Sequence, residues 1–367
     1  MAKKQVLGID IGYDQIKLAL VDNGAVTATA MAQMPENLLK EGRFTSPELM
    51  ASLIRDTMDK NGIKATQAAV VLPNETVYVK NVDMPMMSEE QLTFNLPYEF
   101  NDYITGEVKD YLFDYAVLDT EEDSEDDEQN DAFAAPAEDA APGEDGGEGA
   151  EAAEDEENVI GGQTLHLMAA GVEKAVVEDI QNMLRKAALR LVKTSPALCT
   201  YISLIREMGT EKLPESGEYG ILDLGYHGIN MYMYKGDQHV ATREFDVGLS
   251  SLEDIVADKY GVERHLARTY IFSNFENCLA SEECINYYDN IAVELMRAIN
   301  FYEFSNQGSS LDDLWICGGG AVNEPLLRTI YETLELNLHP AYELLPGGDS
   351  IDQSNNFVQA IGVTLEI

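Results

Sequence analysis

The sequence predicts an α/β protein of two related lobes, each built on a mixed sheet, and two observations carry that prediction. One phrase occurs twice: Asp10-Ile11-Gly12-Tyr13-Asp14-Gln15-Ile16 near the start, and Asp223-Leu224-Gly225-Tyr226-His227-Gly228-Ile229 past the middle. Each copy follows a short apolar run and leads into a second one, then into a turn, Asp22-Asn23-Gly24 or Lys235-Gly236-Asp237. A period this long is no solenoid array; it marks two halves, each opening with a strand, a tight turn and a returning strand. The second observation is the order of hydrophobic patterns after the first copy. Three alternating segments give way to a helical pattern and then to the continuous apolar run Ala68–Leu72, typical of a buried parallel strand.

Strands are predicted at about 5–10, 15–22 and 25–32, joined by Gly and Asn-Gly turns. A helix follows at about 47–61, with Leu49, Leu53, Ile54 and Met58 on one face and Asn61-Gly62 closing it. The chain then leaves for a smaller unit at 76–170. Thr76 to Asp83 alternates as a strand, Ser88-Glu89-Glu90-Gln91 reads as a capping box opening a helix to about Tyr103, and Tyr111 to Leu118 and Thr164 to Ala170 are strands. Glu173 to Ala188 is helical, Arg190 to Lys193 completes the first sheet, and Ser195-Pro196 is expected to cap the next helix. The first lobe so defined covers 1–194. The second, 195–353, repeats the meander at about 219–247 and continues as a mostly helical block, 251–307. Leu314-Trp315-Ile316-Cys317 is a short buried strand ending in Gly318-Gly319-Gly320, with a helix from near Asn323. The last segment, 354–367, carries an apolar stretch from Phe357 to Thr364 expected to return to the first lobe as a helix.

The composition is that of a globular chain of 367 residues, 45% apolar. No apolar run approaches the ~20 residues of a membrane helix, and Met1-Ala2-Lys3-Lys4 leads straight into a strand, so a cytoplasmic location is expected. Cys199, Cys278, Cys284 and Cys317 form no C-x-x-C pair and read as buried reduced thiols. The formal charge of −42 is uneven: 19 of the 66 acidic residues fall between Asp119 and Asn158, which holds no Lys or Arg. With so few large apolar residues that stretch is expected to be disordered, either a tolerated insertion or an electrostatic docking tail for a basic partner. The remainder is acidic as well, which argues against a nucleic-acid ligand.

Three Gly-containing turns that follow strands are the candidates for ligand contact. Backbone N–H groups of two facing turns can grip phosphates, and Gly12, Gly225 and Gly228 allow close approach. Asp10 ends a buried strand, where an unpaired carboxylate is costly. Asp10 and Asp223, at matching positions, either face a hydrated Mg²⁺ on bound phosphates or cap their own turns. Lys17 either meets the phosphates or is a solvated strand residue. Gly318, Gly319 and Gly320, between strand and helix, suit adenosine and α-phosphate.

Asp-x-Gly hairpins and a late Gly-Gly-Gly in this order resemble the phosphate-1, phosphate-2 and adenosine motifs of the actin, heat-shock chaperone and sugar-kinase superfamily. That resemblance implies an actin-like (ribonuclease H-like) fold and a site for ATP and Mg²⁺. Within the superfamily the chain resembles PilM, the actin-like family of type IV pilus assembly. The resemblance rests on Leu7 to Gly12 with Ile16-Lys17-Leu18, on Val77 to Pro85 followed by Ser88-Glu89-Glu90-Gln91, on Asp246-Val247-Gly248, on Ile299 to Tyr302, and on Cys317 to Ala321. It implies that 76–170 is the relocated subdomain shared with FtsA. It also implies that a groove beside that subdomain receives the N-terminal peptide of PilN, an inner-membrane protein, with other pilus assembly proteins near and the membrane reached only indirectly. The implied nucleotide-binding set is Asp10, Gly12, Tyr13, Asp14, Gln15, Lys17, Asp223, Gly225, Tyr226, His227, Gly228, Arg268, Gly318, Gly319 and Gly320, with Asp10 and Asp223 holding Mg²⁺ through water.

The chain departs from that pattern in two places. PilM-like proteins carry Ser or Thr in both phosphate turns, where this chain has Tyr13-Asp14-Gln15 and Tyr226-His227-Gly228. The ribose-binding Glu and Lys of the superfamily align with Arg268 and Ile271. No general base is assignable. The expected function is therefore a binding adaptor with little or no hydrolysis. The alternatives are an active ATPase and an FtsA-like filament former, self-association being compatible with either. FtsA-like chains end in an amphipathic membrane helix, whereas this sequence stops at Thr364-Leu365-Glu366-Ile367.

Overall fold

In the computed structural model, residues 5–122, 163–208, 213–306, 308–345 and 354–365 are described. Most of the acidic stretch 119–158 lies outside the described residues. Two compact units result: Val79–Gly171, and the remainder on either side of it.

The larger unit holds two five-stranded sheets of one plan. In the first lobe, β1 (Gln5–Ile11), β2 (Gln15–Asp22) and β3 (Ala25–Gln33) form the predicted antiparallel meander, and a two-stranded hairpin, β4 (Leu39–Lys40) and β5 (Arg43–Phe44), follows it. Helix α1 (Pro47–Lys60) then crosses to β6 (Gln67–Leu72), parallel to β1. Ser46 caps α1 with its hydroxyl, and Pro47 occupies the first turn, where its missing N–H is harmless. The helix buries Met50, Ala51, Ile54, Thr57 and Met58; of the expected face, Ile54 and Met58 are buried and Leu53 packs partly buried on the core, while Leu49 is exposed.

The smaller unit has the sheet order β7–β9–β8, with β7 (Val77–Pro85), β8 (Tyr111–Glu122) and β9 (Gln163–Glu173). The Ser88–Gln91 capping box forms as predicted and opens α2. The helix, however, spans only Glu89–Asn95 and tightens into a 3₁₀ stretch, Leu96–Phe100, because Pro97 has no N–H to continue the ladder. Phe100, Leu92, Leu96, Leu165, Leu167 and Ala169 make its core, and Lys80 lies over the Phe100 and Tyr103 rings at 5.7 and 5.0 Å.

Returning to the larger unit, α3 (Lys174–Lys186) leads to β10 (Arg190–Pro196), which pairs with β6 and closes the first sheet in the order β10–β6–β1–β2–β3. Ser195 and Pro196 extend that strand instead of capping α4 (Ala197–Met208). The second lobe mirrors the plan. Strands β11 (Glu218–Leu224), β12 (Ile229–Lys235) and β13 (Gln238–Phe245) form a meander, followed by α5 (Leu249–Tyr260), α6 (Arg264–Ser273) and α7 (Glu282–Ser305). Strand β14 (Asp313–Cys317) runs parallel to β11, and after α8 (Glu324–Leu334) a short strand not read from the sequence, β15 (Asn337–Pro340), completes the order β13–β12–β11–β14–β15. Each lobe has its own core: Leu7, Ile9, Ile16 and Leu18 against α1 and α3 in the first, Leu222, Met231 and Met233 against α5 and α7 in the second.

Helix α9 (Val358–Gly362) packs on α4, β1 and β2. A glycine at position 8 is what admits it: a Cβ there would stand 1.6 Å from the Ala360 carbonyl oxygen. All four cysteines are free thiols, three buried and Cys199 partly so. Among the described residues no helix is long and apolar enough to cross a membrane.

Candidate functional site

The two copies of the repeated phrase end equivalent strands and face one another across a cleft of about 280 Å³ in the larger unit. Of the residues singled out in the sequence, Asp10, Gly12, Tyr13, Asp14, Gln15, Lys17, Asp223, Gly225, Tyr226, His227, Gly228, Gly318 and Gly319 line it. Arg268 and Gly320 do not. Gly320 is buried against Leu224, where a Cβ would come within 2.7 Å. Gly318, at φ +83°, touches Asp223: a Cβ there would lie 2.3 Å from its Oδ1. Close packing accounts for both glycines without a ligand.

The cleft floor is a buried charge cluster. Asp10 is not the unpaired carboxylate that its place at the end of a buried strand suggested. It lies opposite Lys17 in the β1–β2 register, and the Lys17 ammonium donates to its Oδ2 at 2.9 Å. Asp10 therefore does not require a metal to explain its burial, and Lys17 is no solvated strand residue. Burial works against the Lys17 charge, but Asp10 and Asp223 outweigh it and hold the ammonium protonated above its ordinary range. The equivalent position opposite Asp223 is Asn230, so the lysine belongs to one lobe only.

Asp223 is stabilised differently. Burial pushes its carboxyl up to about 6, with Asp10 adding to the rise while Lys17 and a hydrogen bond from Gln359 pull it down. Gln359, on α9, donates to Asp223 Oδ2 at 2.7 Å and to the Tyr201 hydroxyl at 2.9 Å. Tyr201 in turn lies 3.3 Å from Cys317 Sγ. A carboxyl whose folded value exceeds its ordinary one favours folding most when protonated. Its contribution is full below about pH 4 and is lost as the pH rises through about 6. Replacing Asp223 by Asn should remove this component. Across that window the variant is expected to gain on the order of 2 kcal/mol over the wild type. Urea melts of both at three pH values test this, and parallel stability curves would refute it.

Carboxylates dominate the wall. Asp10, Asp14, Glu75, Asp223, Glu244 and Asp246 line the cleft, and Lys17 is the sole Lys or Arg among the described lining residues. Glu244 is raised by burial and by its neighbours Glu75 and Asp246. A bare polyphosphate would meet net repulsion here. Phosphates fit only when a divalent cation accompanies them, and with Lys17 holding one oxygen of Asp10 the carboxylates can reach such an ion through its water shell. Among the described residues no three His, Cys, Asp or Glu side chains converge as a direct metal-binding group.

The side chains of the two turns meet. Tyr13 and His227, one residue after the glycine in the first copy and two in the second, stand edge to face with ring centroids 4.7 Å apart. The Tyr13 hydroxyl donates to Glu75 at 3.0 Å and accepts from the Gly42 N–H at 3.0 Å, so the β4–β5 hairpin orients it. Asp14 accepts from Gln33 at 2.5 Å and pairs with Arg268 at 2.7 Å. Arg268 also donates to the buried Glu253 at 2.6 Å, and the Tyr226 hydroxyl donates to the same carboxylate at 2.7 Å. Ile271, the other ribose-position residue, packs on the lobe core instead. The Asp246-Val247-Gly248 motif acts through its glycine: a Cβ at Gly248 would stand 2.5 Å from the Tyr226 carbonyl oxygen, beneath the second turn. Glu75, Glu244, Gln359 and Glu253 were missed from sequence; they come from distant segments that only the topology gathers.

Two equivalent mixed sheets with paired Asp-x-Gly turns facing across a cleft define an actin-like protein. The solved structures agree. A PilM–PilN type IV pilus biogenesis complex matches with a TM-score of 0.75 at 19% identity, covering 98% of this chain and 97% of that one. The ethanolamine utilization protein EutJ from Carboxydothermus hydrogenoformans matches with a TM-score of 0.57 at 13% identity, over 98% and 88%. No curated protein sequence matches. The family profile described as type IV pilus assembly protein PilM matches residues 8–145 and 157–341, and the chain belongs to that family.

Proposed function

We propose that this protein is a cytoplasmic adaptor of type IV pilus or related secretion machinery, recruited to the inner face of the membrane by the N-terminal peptide of a PilN-like protein. Supporting this are its family and the apolar surface of the smaller unit, where Phe94, Tyr98, Tyr103, Leu112 and Val117 are all more than two-fifths exposed. Phe94 and Tyr98 stand edge to face at 5.9 Å, an exposed aromatic pair of the kind that anchors peptides. The cleft of the larger unit is proposed to take ATP with Mg²⁺ as a modulator of conformation. The bound group would supply phosphate charge and a divalent cation; the chain contributes the two turns, Lys17 and the water-mediated carboxylates. The sequence assigns no general base, and slow or absent turnover is the expected behaviour.

One calorimetric series tests both parts. A PilN-type N-terminal peptide should bind the full chain, and Phe94→Glu with Tyr98→Glu should weaken it by about tenfold or more. Undiminished affinity would place the partner elsewhere. Mg·ATP should bind without steady phosphate release; sustained turnover would point to an ATPase instead.

A further inference from the structure

We propose that Arg268–Asp14 and Tyr13–His227 form a latch that closes the phosphate end of the cleft, and that phosphates enter only when it opens. The inference rests on the reading that the cleft accepts a nucleotide.

Four observations carry it. First, the latch joins the lobes: Tyr13 and Asp14 belong to the β1–β2 turn, His227 to the β11–β12 turn and Arg268 to α6. Second, the rings of Tyr13 and His227, one from each turn, line the cleft and meet at 4.7 Å, bridging the two turns that would grip phosphates from both sides. Third, every member is held from behind. Glu75 and Gly42 hold Tyr13, Gln33 holds Asp14, Ser250 lies 3.3 Å from His227 Nδ1, and Glu253 holds Arg268, whose guanidinium also sits over the Tyr226 ring at 5.3 Å. Such backing fixes the geometry of both halves before they meet, so the closed contact costs little side-chain entropy. Fourth, the Arg268–Asp14 pair is about three-quarters shielded from solvent on both sides, where charge attraction is less screened than at an open surface.

The groups facing the latch fix the sense of the coupling. Burial lowers the His227 value, so the ring is neutral and adds no charge. Burial opposes the Arg268 charge, but the hydrogen bond and charge of Glu253 and the charge of Asp14 hold it protonated. Arg268 is therefore a cation already committed to a carboxylate. A phosphate can gain it only in exchange for Asp14, and the rings must part to make room. Nucleotide and closed latch are then alternatives, so a ligand that favours the open arrangement shifts the lobes apart by its differential affinity. In this chain the phosphates would release the lobes instead of clamping them.

The test uses the full-length chain and Asp14→Asn, which retains an acceptor for Gln33 while removing the charge. Arg268 is left in place because its loss would strand the buried Glu253. His227→Ala is the second variant. Without ligand, amide exchange at 12–15 and 225–228 should accelerate about tenfold in both variants, the effect of losing one closing contact, with amides of the smaller unit unchanged. Mg·ATP should then bind Asp14→Asn about tenfold more tightly than wild type. Asp246→Asn, which removes one charge from the same wall without touching Arg268, should gain less than about threefold. Unchanged exchange in both variants overturns the latch. Equal gains from Asp14→Asn and Asp246→Asn overturn it too, because charge alone would then explain the affinity. Faster exchange with no ATP binding by any of the proteins supports the latch and removes the nucleotide reading.

Discussion

Lys17→Met is expected to destabilise the protein by about 3–5 kcal/mol, the penalty of leaving a buried carboxylate unpaired. The ammonium at 2.9 Å is the counter-charge of Asp10, and its field also reaches Asp223. Without it, the buried Asp10 and Asp223 lose the cation whose field reaches both, and Gln359 remains as a donor to Asp223. The Asp223 carboxyl, already raised by burial and no longer lowered by Lys17, should climb further, and the folded state bears the desolvation of an uncompensated charge. The double variant Asp10→Asn with Lys17→Met should recover most of the loss, since removing both partners of a buried pair costs far less than removing one. Chemical denaturation of the two variants side by side measures this. Equal stability of the single and double variants would mean that Asp10 finds another partner.

Gly8→Ala is expected to have an effect of similar size, on the order of 3 kcal/mol, by a different route. The new Cβ would sit 1.6 Å from the Ala360 carbonyl oxygen and 2.8 Å from Thr364 Cγ2. Strand β1 is in the middle of its sheet, so α9 must give way. Amide exchange and proteolysis at 354–365 should then rise. Gln359 would leave Asp223, whose carboxyl should climb further once that hydrogen bond is gone. Gly62→Ala is the comparison: at φ +66° with no atom within 4 Å of its Cβ, it tests backbone strain alone, worth about 1 kcal/mol. If the two alanines destabilise equally, the α9 contact is not what position 8 protects.

The doubled lobe was legible because its signals are local. Period-two runs, Asn-Gly turns and one repeated phrase suffice to place both meanders. Helix α2 was read too long because the capping box at Ser88 was weighed and Pro97 was not, although a proline restricts the residue before it as well. Strand β15 is four residues long and ends in a proline, so no pattern could announce it. At the site, the two turns were found from sequence and their charges were misjudged. The Asp10–Lys17 pair follows from the hairpin register alone, both residues standing one pair in from the Ile11–Ile16 pair at the turn. The acidity of the cleft is another matter. Glu75 follows β6, Glu244 and Asp246 end the second meander, and Gln359 comes from the far end of the chain. No spacing rule joins them.

The contact between Tyr13 and His227 ties together two turns that sit in different lobes. Two equivalent hairpins that did not touch could vary independently, each answering only to its own lobe. Here the first turn carries an aromatic ring that rests on an imidazole of the second. A smaller residue at either place leaves a hole that the other must fill or tolerate. The two turns therefore form one packed unit across the lobes, so that a change of size at 13 is felt at 227.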